Sequence, residues 1–234
     1  MKITNCRQCG LKQFSAFQDC SDDLLNEIFS NKELKQYDKN EIIIQQNDPF
    51  RGVFCIQEGT VKVSTIGNKN KEFVLWFAKP GDIIGIDSFI NNKSHLFAAT
   101  AIVSVSACFI PDGDFKELLN RDPSISRKII KILCDEISSI EGRIASVSQK
   151  SIREQFAEML ISIATKNKKS LEANMPISYS IKDLASTIGT TNNYLYKIIS
   201  DFNDKNVVTI LNKKLVIKDF DKLSLIAIGE ESVT

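Results

Sequence analysis

Among 234 residues there is one histidine, His95, five prolines, and no apolar run long enough to span a bilayer. With so little histidine the chain offers no Ser/His/Asp set. Paired catalytic carboxylates, a phosphate-cradling Walker loop and a dinucleotide-type glycine pattern are missing too. The expectation is a protein that is not an enzyme. His95 reads as a surface or loop residue rather than a haem ligand. The start, Met1-Lys2-Ile3-Thr4-Asn5, runs into polar residues without a signal-peptide core, so a cytoplasmic protein without a membrane partner is expected. Charge of one sign is lacking as well. The net charge is +1, with only a slight basic excess after residue 150, so any nucleic-acid contact must rest on a local face. Hydrophobic content of 43% with 25% charged residues describes an ordinary globular chain.

No segment repeats at a fixed period. Residues 1–20 form a leader carrying three of the six cysteines. In a reducing compartment these read as buried thiols, metal ligands or redox thiols rather than a disulfide framework. A short helix is predicted over 21–30. Strands follow at 41–44, 52–57, 60–65, 73–78, 82–86 and 98–110, rich in β-branched and aromatic residues and separated by turn clusters such as Lys79-Pro80-Gly81-Asp82. Strands this short and closely spaced predict a double-sheet jelly roll. A short helix at 113–120 leads to a long one. Between Ile125 and Thr165 there is no proline, and Gly142 is the only glycine. Ile125, Ile129, Ile132, Leu133, Ile137, Ile140, Ile144 and Val147 make an apolar seam at coiled-coil-like spacing. Packing on its own roll is the plain reading of that seam. A homodimer is preferred because one roll cannot cover its length, and Ile129, Ile132, Leu133, Ile137, Ile140, Ile144 and Val147 are the expected interface. A break is expected at 148–151, and 166–170 reads as a solvated loop.

The tail from 179 to 217 is the most informative stretch. Ser180-Ile181-Lys182-Asp183 opens a helix in capping-box style. Its apolar face is Ile181, Leu184, Ala185 and Ile188, and Gly189 stops it. Thr190 and Thr191 can cap a second helix. There Leu195, Ile198, Ile199 and Phe202 fall on one stripe, while Asn192, Asn193, Tyr196, Lys197 and Ser200 occupy the opposite face. A wing follows, 207–211 and 215–217 around Asn212-Lys213-Lys214. Lys213 and Lys214 suit phosphate contacts, and Leu211, Leu215 and Ile217 are expected in the core. This is the pattern of a winged helix-turn-helix whose second helix reads a major groove in double-stranded DNA. For each polar residue taken singly, a solvated helix face is an equal alternative. The domain reading is 1–20 leader, 21–122 roll, 123–150 dimerisation helix and 151–234 winged helix-turn-helix, an α+β fold.

In that order, and with Gly52-Val53-Phe54-Cys55-Ile56-Gln57-Glu58-Gly59-Thr60-Val61-Lys62-Val63, Pro80-Gly81-Asp82-Ile83-Ile84-Gly85, Cys108-Phe109-Ile110-Pro111 and Ile181-Lys182-Asp183-Leu184-Ala185-Ser186-Thr187-Ile188-Gly189, the chain resembles the CRP/FNR family of bacterial transcription regulators, on its FNR-like branch. The resemblance implies a cyclic-nucleotide-binding-like sensor roll and a homodimer on a two-fold symmetric promoter site. It also implies an activator or repressor that recruits or blocks RNA polymerase. The family reads bases with a Glu and an Arg at positions held here by Asn193 and Lys197. Asn pairs bidentately with adenine, and Lys reaches guanine or phosphate without the planar fork of Arg. A target site different from the family's is expected. Thr191 and the helix N-terminus can hold a phosphate.

Family members that bind cyclic AMP hold the ribose with a Glu and the phosphate with an Arg-Ser/Thr pair. Ile86 stands at the Glu position. His95-Leu96-Phe97-Ala98 stands in the Arg-Ser region, and no arginine lies between Arg51 and Arg121. A buried phosphate without a cation is costly, so the sequence argues against cyclic AMP. Cys6-Arg7-Gln8-Cys9 has metal-ligand spacing, and Cys108 resembles the distant cysteine of the oxygen-sensing branch, which implies a [4Fe–4S] cluster or zinc. The third leader ligand departs from that pattern. The next thiol is Cys20, giving Cys6, Cys9, Cys20 and Cys108 as the candidate set, with Cys20 as a simple helix-start residue the alternative. Cys55 lies in a strand and can turn toward Cys108, and Cys134 is expected to pack on the long helix. Two other classes compete with a DNA-binding regulator. One is a roll that senses a ligand or redox state for a protein partner without DNA. The other is a thiol redox enzyme at Cys6 and Cys9, whose place outside a strand–helix context counts against it.

Overall fold

The computed structural model of the protein describes residues 9, 12, 15–67, 71–91, 93–166, 175–177, 179–212 and 214–230. The chain forms two compact units, Met1–Glu136 and Ile137–Thr234. In the first, Ser21 accepts a hydrogen bond from the Leu24 amide and so caps α1 (Asp22–Ile28). Then come β1 (Glu33–Tyr37), β2 (Ile42–Ile44), β3 (Gly52–Glu58), β4 (Val61–Ile66), β5 (Glu72–Ala78), β6 (Ile83–Ile84), α2 (Ile86–Asn91), β7 (Ala98–Ala101), β8 (Val105–Pro111), α3 (Asp112–Arg121) and α4 (Pro123–Gln149), which runs on into the second unit. Two four-stranded antiparallel sheets, in the orders β1-β8-β3-β6 and β2-β7-β4-β5, make the expected roll. Gly59 closes the β3–β4 turn with φ +88°, where a Cβ would lie 2.3 Å from the Ser104 carbonyl oxygen.

Strand β3 is buried on both faces, which accounts for its unbroken apolar run. Phe54 and Ile56 point between the two sheets with Val61, Val63, Phe97, Ala99 and Ala107. Val53 and Cys55 point the other way, into a cluster with Ile110 of β8, Leu25 and Ile28 of α1, Phe115 of α3, and Ile125 and Ile129 of α4. The stretch 98–110, expected as one strand, is two strands in different sheets. Helix α2 and strand β1 were not anticipated. Helix α2 is only six residues long, and strand β1, with Leu34 its single aliphatic residue, carries too few apolar residues to show a strand period.

The second unit holds α5 (Ile152–Lys166), β9 (Met175–Ile177), α6 (Ile181–Ile188), α7 (Asn192–Asp204), β10 (Val208–Leu211), β11 (Lys214–Ile217) and α8 (Phe220–Ala227). Its sheet has the order β10-β11-β9. The core joins Phe156 and Leu160 of α5, Leu184 of α6, Leu195, Ile199 and Phe202 of α7, Leu215 and Ile217 of the wing, and Leu223 of α8. Phe156 and Phe202 stack with ring centroids 5.8 Å apart. Burying each such aromatic contributes about 1.5–3 kcal/mol. Among the described residues no helix is long and apolar enough to cross a membrane.

Candidate functional site

Two short side-chain caps build the helix-turn-helix. Ser180 accepts from the Asp183 amide at 3.1 Å and donates its hydroxyl to the Asp183 carboxylate at 2.6 Å, fixing the start of α6. Gly189, at φ 79°, ends that helix in the left-handed conformation. Thr191 accepts from the Tyr194 amide at 3.3 Å and starts α7. The connection is three residues long, so the phase of α7 is set by its caps. Leu195, Ile198, Ile199 and Phe202 are buried, and Thr191, Asn192, Asn193, Tyr196, Lys197 and Ser200 are all exposed. Tyr194, exposed beside them, was not singled out from the sequence because it lies between the two stripes. On the wing, Lys214 is exposed, and Lys213 lies outside the described residues. Leu215 and Ile217 are core as expected. Leu211 is not: it is 47% exposed, because the hairpin tip carries it and Ile210 beyond the body of the domain.

Polar contacts brace this unit. Arg143 of α4 donates to the Thr187 carbonyl at the end of α6, at 3.0 Å. Glu158 of α5 takes a 2.6 Å hydrogen bond from Ser146 and a 3.1 Å ion pair from Lys150. Arg153 of α5 pairs with Asp201 of α7 and lies 4.7 Å over the Phe202 ring.

The apolar seam of α4 divides in two. Ile125 and Ile129 are buried in the cluster beneath the roll, Ile129 at 3% exposure, and Ile132 and Leu133 pack partly against it. Ile129, expected on the dimer seam, therefore belongs to the chain's own core, and Ile130 takes its place outside. Ile130, Ile137, Ile140, Ile144 and Val147 are exposed, at 54% for Ile140. With Leu133 they fall at alternating three- and four-residue steps, the a and d pattern of a two-helix seam. Cys134, expected to pack, is exposed.

In the roll, the position expected for a phosphate-binding cation is apolar. Phe97 is buried between the sheets, Leu96 is exposed, and Ile86 is buried at the start of α2. His95 is not a surface residue. Its ring packs near Phe50 and Phe97, and its Nδ1 lies 3.0 Å from the Ser88 hydroxyl. Burial pulls its pKa down, against the pull of Asp87 and Asp48. These residues do not fit a cyclic nucleotide phosphate.

The thiols likewise depart from the expected four-ligand set. Cys6 lies outside the described residues. Cys20 is buried, and burial together with the neighbouring Asp122 carboxylate pushes its pKa up to about 12, so without a bound metal it is a protonated thiol. Cys9 donates from Sγ to Gln57 Oε1 at 3.3 Å. Cys108 is paired across the sheet with Cys55. Among the described residues no three His, Cys, Asp or Glu side chains come together as a metal-binding group. Of the candidate set Cys6, Cys9, Cys20 and Cys108, the described residues Cys9, Cys20 and Cys108 do not form such a group with other described side chains.

Comparison with known proteins bears on this geometry. Residues 34–122 match the family model of the cyclic nucleotide-binding domain. The chain is 25% identical to the regulatory protein HlyX of Actinobacillus pleuropneumoniae, over 94% of this chain and 93% of that protein. It is 27% identical to the electron transport regulator A of Shewanella oneidensis, over 88% and 82%. The solved structure of FixK2 from Bradyrhizobium japonicum shares the fold, with a TM-score of 0.73 at 19% identity, covering 87% of this chain and 99% of that one. The chain carries, in order, a cyclic-nucleotide-binding-type roll, a long helix and a winged helix-turn-helix. The chain is thus similar over most of its length to these regulators, and it shares the fold of solved structures of CRP/FNR-family regulators.

Proposed function

We propose that the protein is a sequence-specific DNA-binding regulator of transcription. On this reading it works in the cytoplasm as a homodimer, on a two-fold symmetric promoter site where it recruits or blocks RNA polymerase. The observation that carries the reading is the exposed face of α7. Asn193 and Lys197 lie one turn apart there, with Asn192, Tyr196 and Ser200 beside them. The Asn193 amide matches the adenine edge, and Lys197 reaches guanine or phosphate. The amide groups at the start of α7, with Thr191, and Lys214 on the wing supply backbone contacts. The exposed stripe of α4 supports pairing with a second copy, which two half-sites require. The signal enters at the roll. Cyclic AMP finds no arginine there, and the Arg-Ser region is apolar at Leu96 and Phe97, so redox chemistry at the thiols is the better-supported control.

Selection from random-sequence duplexes supplies a binding site for the test. The double variant Asn193→Ala/Lys197→Ala should then lose at least tenfold in affinity for that site, since each base contact contributes about 1–3 kcal/mol. Its sedimentation should be unchanged. Full affinity in the double variant would overturn the reading, in favour of a roll that signals to a protein partner without DNA.

A further inference from the structure

Two thiols that take no part in the DNA-reading face meet beneath the roll. Cys55 of β3 and Cys108 of β8 are directly opposed cross-strand partners. Both belong to the helix-side cluster and neither points between the sheets. Opposed residues of an antiparallel pair present their side chains on one face, with Cα atoms about 4.5–5.5 Å apart. That spacing lies inside the roughly 4.4–6.8 Å window in which a disulfide closes. Cys55 is 5% and Cys108 7% exposed, each within reach of a small oxidant rather than a bulky one. Gln57 adds a polar contact. Its side-chain Nε2 donates toward Cys55 Sγ at 4.0 Å, and its Oε1 accepts from Cys9. The Gln57 amide beside Cys55 can stabilise negative charge on that sulfur as it attacks, which marks Cys55 as the attacking thiol. Cys20, tied to Asp122, stands apart from this exchange.

We propose that Cys55 and Cys108 form a dithiol site that a hydroperoxide oxidises to a cross-strand disulfide. The Cys55 thiolate attacks the peroxide. The O–O bond breaks, hydroxide leaves, and Cys55 becomes a sulfenic acid. The Cys108 sulfur then attacks the Cys55 sulfur, the S–O bond breaks, and water leaves as the S–S bond forms. Two thiols and one hydrogen peroxide give one disulfide and two waters. The bond joins β3 to β8 in the cluster that also holds Ile125 and Ile129 of α4, so the oxidation state of the roll is written directly under the start of that helix. The site stands independently of the DNA-reading proposal.

The test uses the full chain, reduced and held free of oxygen, then treated with one equivalent of hydrogen peroxide. Remaining thiols are alkylated, the protein is digested, and the peptides are weighed by mass spectrometry. The expected result is a peptide pair linked through Cys55 and Cys108, with two fewer alkylatable thiols per chain, both restored by a reductant. Cys9→Ser and Cys20→Ser should keep the link, and Cys55→Ser should lose it. The wild-type measurement stands even if a variant folds poorly. Full alkylation of both residues after peroxide would overturn the proposal. So would a link from either residue to Cys9 or Cys20, or protection of both by an iron or zinc ion that a chelator releases. Affinity of the reduced chain for its selected DNA site, measured alongside, reports on the reading helix separately.

Discussion

Arg153 and Asp201 tie α5 to α7, and the same guanidinium lies 4.7 Å over the Phe202 ring centroid. Arg153 is the more enclosed partner, so its loss removes both an ion pair and a ring contact. Arg153→Ala should lower the stability of the chain by about 1–2 kcal/mol. Arg153→Lys should recover only part of this, because the planar fork is lost. Denaturant midpoints at unchanged slope are the measurement. Equal midpoints for wild type and Arg153→Ala would reject the brace.

The exposed stripe of α4 gives a second prediction. Ile140 sits at its middle and is 54% exposed in the single chain. Ile140→Lys places a charge where two helices meet, so sedimentation should show monomers where the wild type shows dimers. Affinity for a two-half-site DNA should fall at least tenfold with it. A dimeric Ile140→Lys would move the interface elsewhere.

Glu136 carries the pH dependence. Burial, with Asp87 and Asp82 nearby, raises its pKa from 4.5 to about 7. The fold favours its protonated form. Its contribution is therefore complete below pH 4.5 and is lost as the pH rises to about 7. Glu136→Gln should gain on the wild type across that window, by an order of 1–2 kcal/mol once solvent screening at a half-buried site is allowed for. Thermal melts from acid to neutral pH would show the two curves separate upward. Parallel curves would rule out the burial argument.

Cys20 and Cys134 should differ sharply in reactivity. Cys20 is buried with a pKa near 12, and Cys134 is exposed. Iodoacetamide at mildly alkaline pH should label Cys134 many times faster than Cys20, because the thiolate is the reacting species. Peptide mapping against time is the check, and equal rates would mean that the leader opens.

What could be read from the sequence depended on how local the signal was. Ser180, Gly189 and Thr191 act within a few residues of themselves, so the helix-turn-helix and its outward face were legible from caps and period alone. The wing core at Leu215 and Ile217 followed from alternation. Leu211 did not, since a hairpin tip ends the alternation's meaning. On α4 one apolar list served two partners, and only the fold assigns Ile129 to the roll and Ile130 to the outside. The cysteines were least legible. Spacing nominated Cys20 beside Cys6 and Cys9, and the fold buries Cys20 against Asp122; alternation let Cys55 turn toward Cys108, but their direct opposition arises from a strand register that no short motif encodes.

The stripe on α4 is identical on every copy of the chain, so it does not distinguish an intact partner from a damaged one. If the stripe pairs two copies as proposed, a cell making both the normal protein and a form with a ruined α7 face would assemble mixed pairs, and only a minority would carry two intact halves. Lesions in α7 should therefore act dominantly over the normal gene, whereas lesions that abolish the stripe itself should be silent beside it.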